Sequence, residues 1–154
     1  MGMISSAVER LGKPRYVSEQ GATVPYNFEV SDQIPATPQE IYDAWMSSEG
    51  HSAMTGGAAH VDPVIGGEYD AWDGYIRGTT LTLEPPARLV QTWRSTRFTD
   101  ANENSQIEVL LEANGAGTLV RVLHSNVPDD HRGYEDGGWQ KNYFDPMKAY
   151  FESK

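Results

Sequence analysis

EDGGWQKNYFDPMKAYF, residues 135–151, crowds Trp139, Tyr143, Phe144, Met147, Tyr150 and Phe151 into thirteen residues. The backbone under them is poorly suited to a helix. Gly137 and Gly138 lie near the start of the stretch and Pro146 lies inside it. An interior glycine costs about 1 kcal/mol against alanine, and an interior proline about 3 kcal/mol. Trp139, Tyr143, Met147 and Tyr150 nevertheless follow one another at spacings of four, four and three, which places them on one helical face. The reading that reconciles the two is a long amphipathic last helix laid across a curved surface, its glycines and proline letting it bend. The acidic residues Asp129, Asp130, Glu135 and Asp136 suit the positive end of that helix's dipole.

The surface to be covered is read from the middle of the chain. YNFEVSDQI, 26–34, alternates Tyr26, Phe28 and Val30 with polar residues, as a half-buried strand does. TPQEIYDAWM starts a helix: Thr37 caps it, Pro38 takes the first helical position and Glu40 completes a capping box. EGHSAMTGG adds one or two helical turns before its glycines. Residues from there to about 125 read as some six strands and their turns. GGEYDAWDGYIRGTTLTL is a hairpin turning at Asp73-Gly74, ARLVQTWRS a strand, and SQIEVLLEANGAGTLVRVLHS a second hairpin. Antiparallel strands in sequence, with helices segregated from them, predict an α+β fold. Residues 1–24 are rich in breakers, although Ile4, Val8 and Leu11 have helical spacing. They read as a partly flexible extension of a single domain at 25–154.

Alternation also predicts the inward face. Leu89, Gln91 and Trp93 share a face, as do Ile107, Val109 and Leu111. In the last strand Thr118, Val120, Val122 and His124 point inward, because Arg121 in the alternative register wants solvent. Gln91 and His124 then become polar groups on an apolar concave face.

Five stretches carry a family resemblance: TPQEIYDAWMSSEGHSAMTG, GGEYDAWDGYIRG, LEPPARLVQTWR, GAGTLVRVLHSNVP and GWQKNYFDPMKAYF. Together they span roughly residues 28–151. In that order they resemble the C-terminal type of domain of the activators of the 90-kilodalton heat-shock chaperone's ATPase, within the START-like, or birch-pollen-allergen-like, helix-grip superfamily. The resemblance implies a curved antiparallel sheet of about seven strands wrapped on a long C-terminal helix, with two short helices after the first strand. It also implies chaperone-related or stress-response roles, and a heat-shock chaperone as a partner. In the eukaryotic activators a separate N-terminal domain binds the chaperone, and residues 1–24 are too short to be that domain. Proteins of the superfamily typically hold small hydrophobic molecules between helix and sheet, and a minority are cyclases or hydroxylase components.

Composition narrows the partners. With 38% hydrophobic and 22% charged residues the chain reads as a soluble globular protein, and no apolar run approaches a membrane span. A net charge of −10 disfavours nucleic acid and anionic lipid surfaces. There are no cysteines and no signal-peptide pattern, so a cytoplasmic protein is expected, as monomer or homodimer. No metal and no cofactor are expected: His51, His60, His124 and His131 show no ligand spacing. His51 and His60, flanking a glycine-rich loop, read as surface residues, and His131 as an exposed residue in the first turn of the last helix. No serine elbow or phosphate loop is present.

The candidate ligand-binding residues are Trp72, Gln91, Trp93, His124, Trp139, Tyr143 and Met147. They would supply a mostly apolar cavity with a few placed polar groups. A neutral His124 could orient a ligand or act as a base. A core histidine bonded to a neighbouring strand is the plainer alternative. Arg77 is a second candidate for an anionic group, its face left undecided by alternation. Three functions follow in rank: binding of a small hydrophobic molecule, a co-chaperone-like contact with a heat-shock ATPase, and a cyclase-type enzyme. No catalytic residue is assigned.

Overall fold

The computed structural model describes residues 25–154, so the extension expected at 1–24 lies outside the described residues. Strand β1 (Tyr26–Ile34) leads into helix α1 (Pro38–Trp45). The start of α1 is as the sequence encodes it: Thr37 Oγ1 accepts from the Glu40 N–H, and the Glu40 carboxylate accepts from the Thr37 N–H at 2.9 Å. Ile41, Tyr42 and Trp45 form its buried face. Helix α2 (Ser48–Thr55) follows almost without a loop and stops at Gly56, whose φ of 86° ends the helix in the left-handed region.

Six strands come next: β2 (His60–Val61), β3 (Glu68–Ala71), β4 (Ile76–Glu84), β5 (Arg88–Ser95), β6 (Ser105–Asn114) and β7 (Gly117–Val127). All seven form one antiparallel sheet in the order β1-β7-β6-β5-β4-β3-β2. The first strand thus lies beside the last, Val30 opposite Val122 and Ile34 opposite Thr118. Inward and outward faces fall as alternation requires. Leu89, Val109, Val120 and Val122 are fully buried, while Arg121 turns outward to meet Glu29 at 2.8 Å.

The last helix is not continuous. A short turn at Asp129–His131 is followed by wide turns at Tyr134–Gly138 and Gln140–Phe144, and regular α-helix, α3, occupies only Asp145–Glu152. Asp129 and Asp130 therefore belong to a separate turn rather than to the helix start. Gly137 has φ 115°, a conformation that breaks the helix and that L side chains rarely adopt. Further on, the Asp145 N–H reaches back five residues to the Gln140 carbonyl instead of four. Pro146 then falls at the opening of the regular α3 segment, where a missing N–H is tolerated. The helix lies over the concave side of the curved sheet and is fastened to its β1 edge. Asp32 accepts from Gln140 Nε2 at 2.8 Å and meets Lys148 Nζ at 2.7 Å.

Candidate functional site

Between the bent start of the last helix and strands β4 and β5 lies an open pocket of about 340 Å³. Four sequence-derived candidates line it: Trp72, Trp93, Trp139 and Tyr143. Five further lining residues were not foreseen, namely Tyr75, Ile76, Tyr134, Gly138 and Asn142. Alternation could have placed Ile76, the first residue of a strand. Tyr75 sits in a turn and Tyr134 lies just before the stretch 135–151 that the sequence marks as helical, so no periodicity assigns them a direction.

The remaining candidates are buried but lie outside that lining. Met147 packs in the core at 0% exposure. Gln91 is a core bridge: its Oε1 accepts from Trp45 Nε1 at 3.2 Å and its Nε2 donates to Thr80 Oγ1 at 3.1 Å. His124 stands behind the pocket wall, its ring 4.6 Å from that of Trp93 and 5.8 Å from that of Trp139. Trp139 Nε1 can only donate, so His124 Nδ1, 3.2 Å away, accepts. The imidazole proton is then on Nε2, which donates to Ser105 Oγ at 2.9 Å, and Ser105 in turn donates to the Trp93 carbonyl at 2.6 Å. Burial pushes His124 down from 6.5 to about 3, so it is neutral near pH 7 with both nitrogens committed. The relay orients the Trp139 indole and ties to the backbone carbonyl of Trp93.

A second relay was missed from sequence. His51 was read as a surface residue, and the structure buries it to 1% exposure. The reason is that α2 runs through residue 51 and turns it toward the core, before the glycine-rich loop begins. His51 Nδ1 donates to the Trp45 carbonyl at 2.9 Å, and Nε2 accepts from the Tyr143 hydroxyl at 3.0 Å. Desolvation lowers His51 and raises Tyr143, so both stay neutral. The Tyr143 ring stacks on Trp45 with centroids 5.2 Å apart. Tyr143 thus carries a pocket wall on one side and a buried hydrogen bond on the other. His60 is exposed, as expected, beside Asp70. His131 is half-buried against Phe98, with ring centroids 4.9 Å apart, in the turn before the helix rather than in it. Arg77 projects to the outer face of β4, away from the pocket.

Trp72 differs from the other lining residues. It opens the β3–β4 turn with φ 55°, followed by Asp73 at 58° and Gly74 at 84°. Left-handed backbone is unusual for a bulky residue. The turn is tied to the α2–β2 loop by the Asp73 N–H, which donates to the Ala58 carbonyl at 2.8 Å. The indole lies against Gly57, where a Cβ would come within 2.4 Å of Trp72 Cε3. Among the described residues, Trp72 Nε1 is the buried side-chain nitrogen or oxygen without a hydrogen-bond partner. No group of three or more His, Asp or Glu among the described residues could hold a metal ion. No helix among them is long and apolar enough to cross a membrane.

Comparison with known proteins agrees with this architecture. The family described as activator of Hsp90 ATPase homolog 1-like protein matches residues 35–152. The chain is 26% identical over 123 residues to the activator of 90 kDa heat shock protein ATPase homolog of Dictyostelium discoideum. That alignment covers 79% of this chain but 32% of the relative, so the chain spans about a third of its length. Among solved structures, an HSP90 activator from Plasmodium falciparum superposes with TM-score 0.71 at 19% identity, over 82% of this chain and 96% of the other. Ara h 8.0201 superposes with TM-score 0.65 at 14% identity, over 85% and 100%. Both likenesses concern the fold, which is the helix-grip fold.

Proposed function

The chain belongs to the activator of Hsp90 ATPase homolog 1-like family, and on that premise we propose that it binds a small, mostly hydrophobic molecule in the pocket between sheet and bent helix. The observation that carries this reading is the 340 Å³ pocket, walled by three tryptophans and three tyrosines. Six of its nine lining residues are aromatic, the mostly apolar lining that small-molecule sites have. The pocket falls at the small end of the usual range for ligand sites, about 300–1,000 Å³. Two histidine relays hold its aromatic walls in place, as a pre-formed site requires. The expected setting is a soluble, cytoplasmic protein.

Native mass spectrometry of freshly purified protein tests the reading. A co-purifying apolar compound supports it. A clean mass, with no rise in melting temperature across fatty acids, flavonoids and sterols, removes it.

Family membership favours a second reading, a co-chaperone-like contact with a heat-shock ATPase, since the Dictyostelium relative is named as such an activator. ATPase turnover of a 90-kilodalton heat-shock chaperone, unchanged at large excess of this protein, rejects it. A cyclase-type role has no comparable support. With both His124 nitrogens committed, the site offers no base facing the pocket.

A further inference from the structure

We infer that the pocket takes a quaternary ammonium group, a cation whose charge is wrapped in methyls, and holds it against the faces of its aromatic rings. The inference rests on the pocket reading above and deepens it by naming the ligand's charge and head group.

Three observations converge. First, six of the nine lining residues are aromatic, and none of the nine is Asp, Glu, His, Lys or Arg. Second, neighbouring walls are tilted against one another. Trp93 and Tyr134 lie 5.0 Å apart with planes at 74°. Trp139 lies 6.2 Å from Trp93 at 38° and 4.9 Å from Tyr143 at 41°. Rings so tilted stand round a space as the sides of a box do, whereas a parallel stack would close it. Third, two of the walls turn their polar tips away. Trp139 Nε1 donates to His124 and the Tyr143 hydroxyl donates to His51, and neither histidine lines the pocket. What these two residues offer a ligand is ring carbon.

A ring face carries the negative side of the aromatic quadrupole, so such walls attract cations, tryptophan most strongly. The kind of cation follows from what the lining lacks. An alkylammonium brings N–H donors that lose their water on entry, and no carboxylate in the lining replaces it. A quaternary nitrogen has no N–H to satisfy, and its methyls pack on ring carbon as any apolar group does. An anion would meet the ring faces with the wrong sign. The net charge of −10 draws cations toward the molecule as a whole. Charges near the lining are of both signs. Asp73, Glu135, Asp136 and Lys141 flank it in sequence, and Arg97 lies within electrostatic reach of Tyr134. Selection between ligands therefore falls to the ring faces.

Choline and dimethylbutanol, in which a tert-butyl group replaces trimethylammonium, share one shape, and only choline is charged. Each is titrated into the full chain labelled with nitrogen-15, at an ionic strength held constant with sodium chloride, and the indole N–H signals are followed. Both probes are expected to move the Trp93 and Trp139 signals more than that of Trp45, which is buried outside the lining. Choline is expected to bind roughly five- to thirtyfold more tightly than its neutral isostere, the effect of a cation held by ring faces. Tyr75, 39% exposed in its turn, is a wall that can be changed without opening the core. Tyr75→Leu should weaken choline roughly two- to fivefold and leave the isostere within about twofold, while Tyr75→Phe keeps the ring face and the affinity. An isostere that binds as tightly as choline overturns the inference and leaves the pocket reading standing, and so does a loss shared equally by both probes in Tyr75→Leu. Choline shifts confined to signals outside the lining, or no saturable response to choline, overturn it as well, and the native mass measurement then decides the pocket reading on its own.

Discussion

The two halves of the last helical segment, 134–144 and 145–152, are neighbours in sequence and opposites in packing. In the second half Pro146 opens a regular helix whose Met147 and Phe151 are buried against the core, at 0% and 8% exposure. In the first half Gly137 breaks the helix, wide turns replace regular ones, and Tyr134, Trp139 and Tyr143 border an open pocket, Phe144 alone among its aromatics turning into the core. Aromatic content does not distinguish them. Backbone regularity does: a regular helix presents a continuous face that a sheet can fill, and an irregular one leaves space. The unfavourable glycines of the opening stretch are thus where the pocket opens.

Four measurements break or sharpen that contrast. Met147→Ala, in the closed half, is expected to cost about 2–5 kcal/mol, the transfer and cavity terms of a fully buried side chain. Asn142→Ala, on the exposed rim of the open half, should stay within about 0.5 kcal/mol. Urea denaturation compares them, and equal costs would abolish the distinction.

Acid provides the second. His124 is depressed to about 3 by burial, and His51 is lowered by the same cause. The unfolded chain takes up a proton at each near pH 6.5, while the folded chain refuses it. Stability is therefore fully present above pH 6.5 and falls as pH drops from there toward 3. For His124 alone the loss is on the order of 2 kcal/mol at pH 5. Asp32 acts in the same direction at lower pH. Burial would raise its carboxyl, but hydrogen bonds from Gln140 and Lys148 outweigh this and hold it below the ordinary value. A urea midpoint unchanged between pH 7.5 and 5 would show that the relays behind the pocket are not buried.

Tyr143→Phe is third. It keeps the wall and leaves His51 Nε2 without its donor, so a loss of about 1–2 kcal/mol is expected, with pocket binding preserved. A parallel loss of ligand affinity would mean that the relay, and not only the ring, forms the site.

The adjacent glycines give the smallest effects, with opposite signs. At Gly138 a Cβ meets nothing nearer than Tyr134 at 4.0 Å, so Gly138→Ala should stabilise the protein by about 0.4–1 kcal/mol. Gly137→Ala must adopt φ 115° and should destabilise it by a similar amount or more. Thermal melts of the two variants that moved together would contradict the break at Gly137.

Much of this fold was legible beforehand, for local reasons. Thr37, Pro38 and Glu40 carry their own instruction for starting α1, and Asp73-Gly74 and the ANGAG segment theirs for turning. The strand faces could be read because side chains alternate strictly. Arg121 settled the register of β7, and the structure pairs it with Glu29 on the outer face. Of the seven site candidates, the four that line the pocket are aromatic; Trp93 follows from strand alternation and Trp139 and Tyr143 from helical spacing, while Trp72 sits in a turn. The parts that could not be read depend on contacts between distant elements. His51 looked like a surface residue because burial by Tyr143, 92 residues away, leaves no local mark. Gln91 and His124 were rightly read as inward, but which buried residues border empty space is decided by how far the helix stands from the sheet.

The sequence by itself determined the elements, their order, the buried face of the sheet and the aromatic character of whatever lies between sheet and helix, because periodicity, caps and turns act over a few residues. Only the tertiary structure decided that the helix breaks at Gly137 and that a pocket opens beside the break. Those outcomes depend on the distance between surfaces brought together from opposite ends of the chain, and no local pattern of residues encodes a distance.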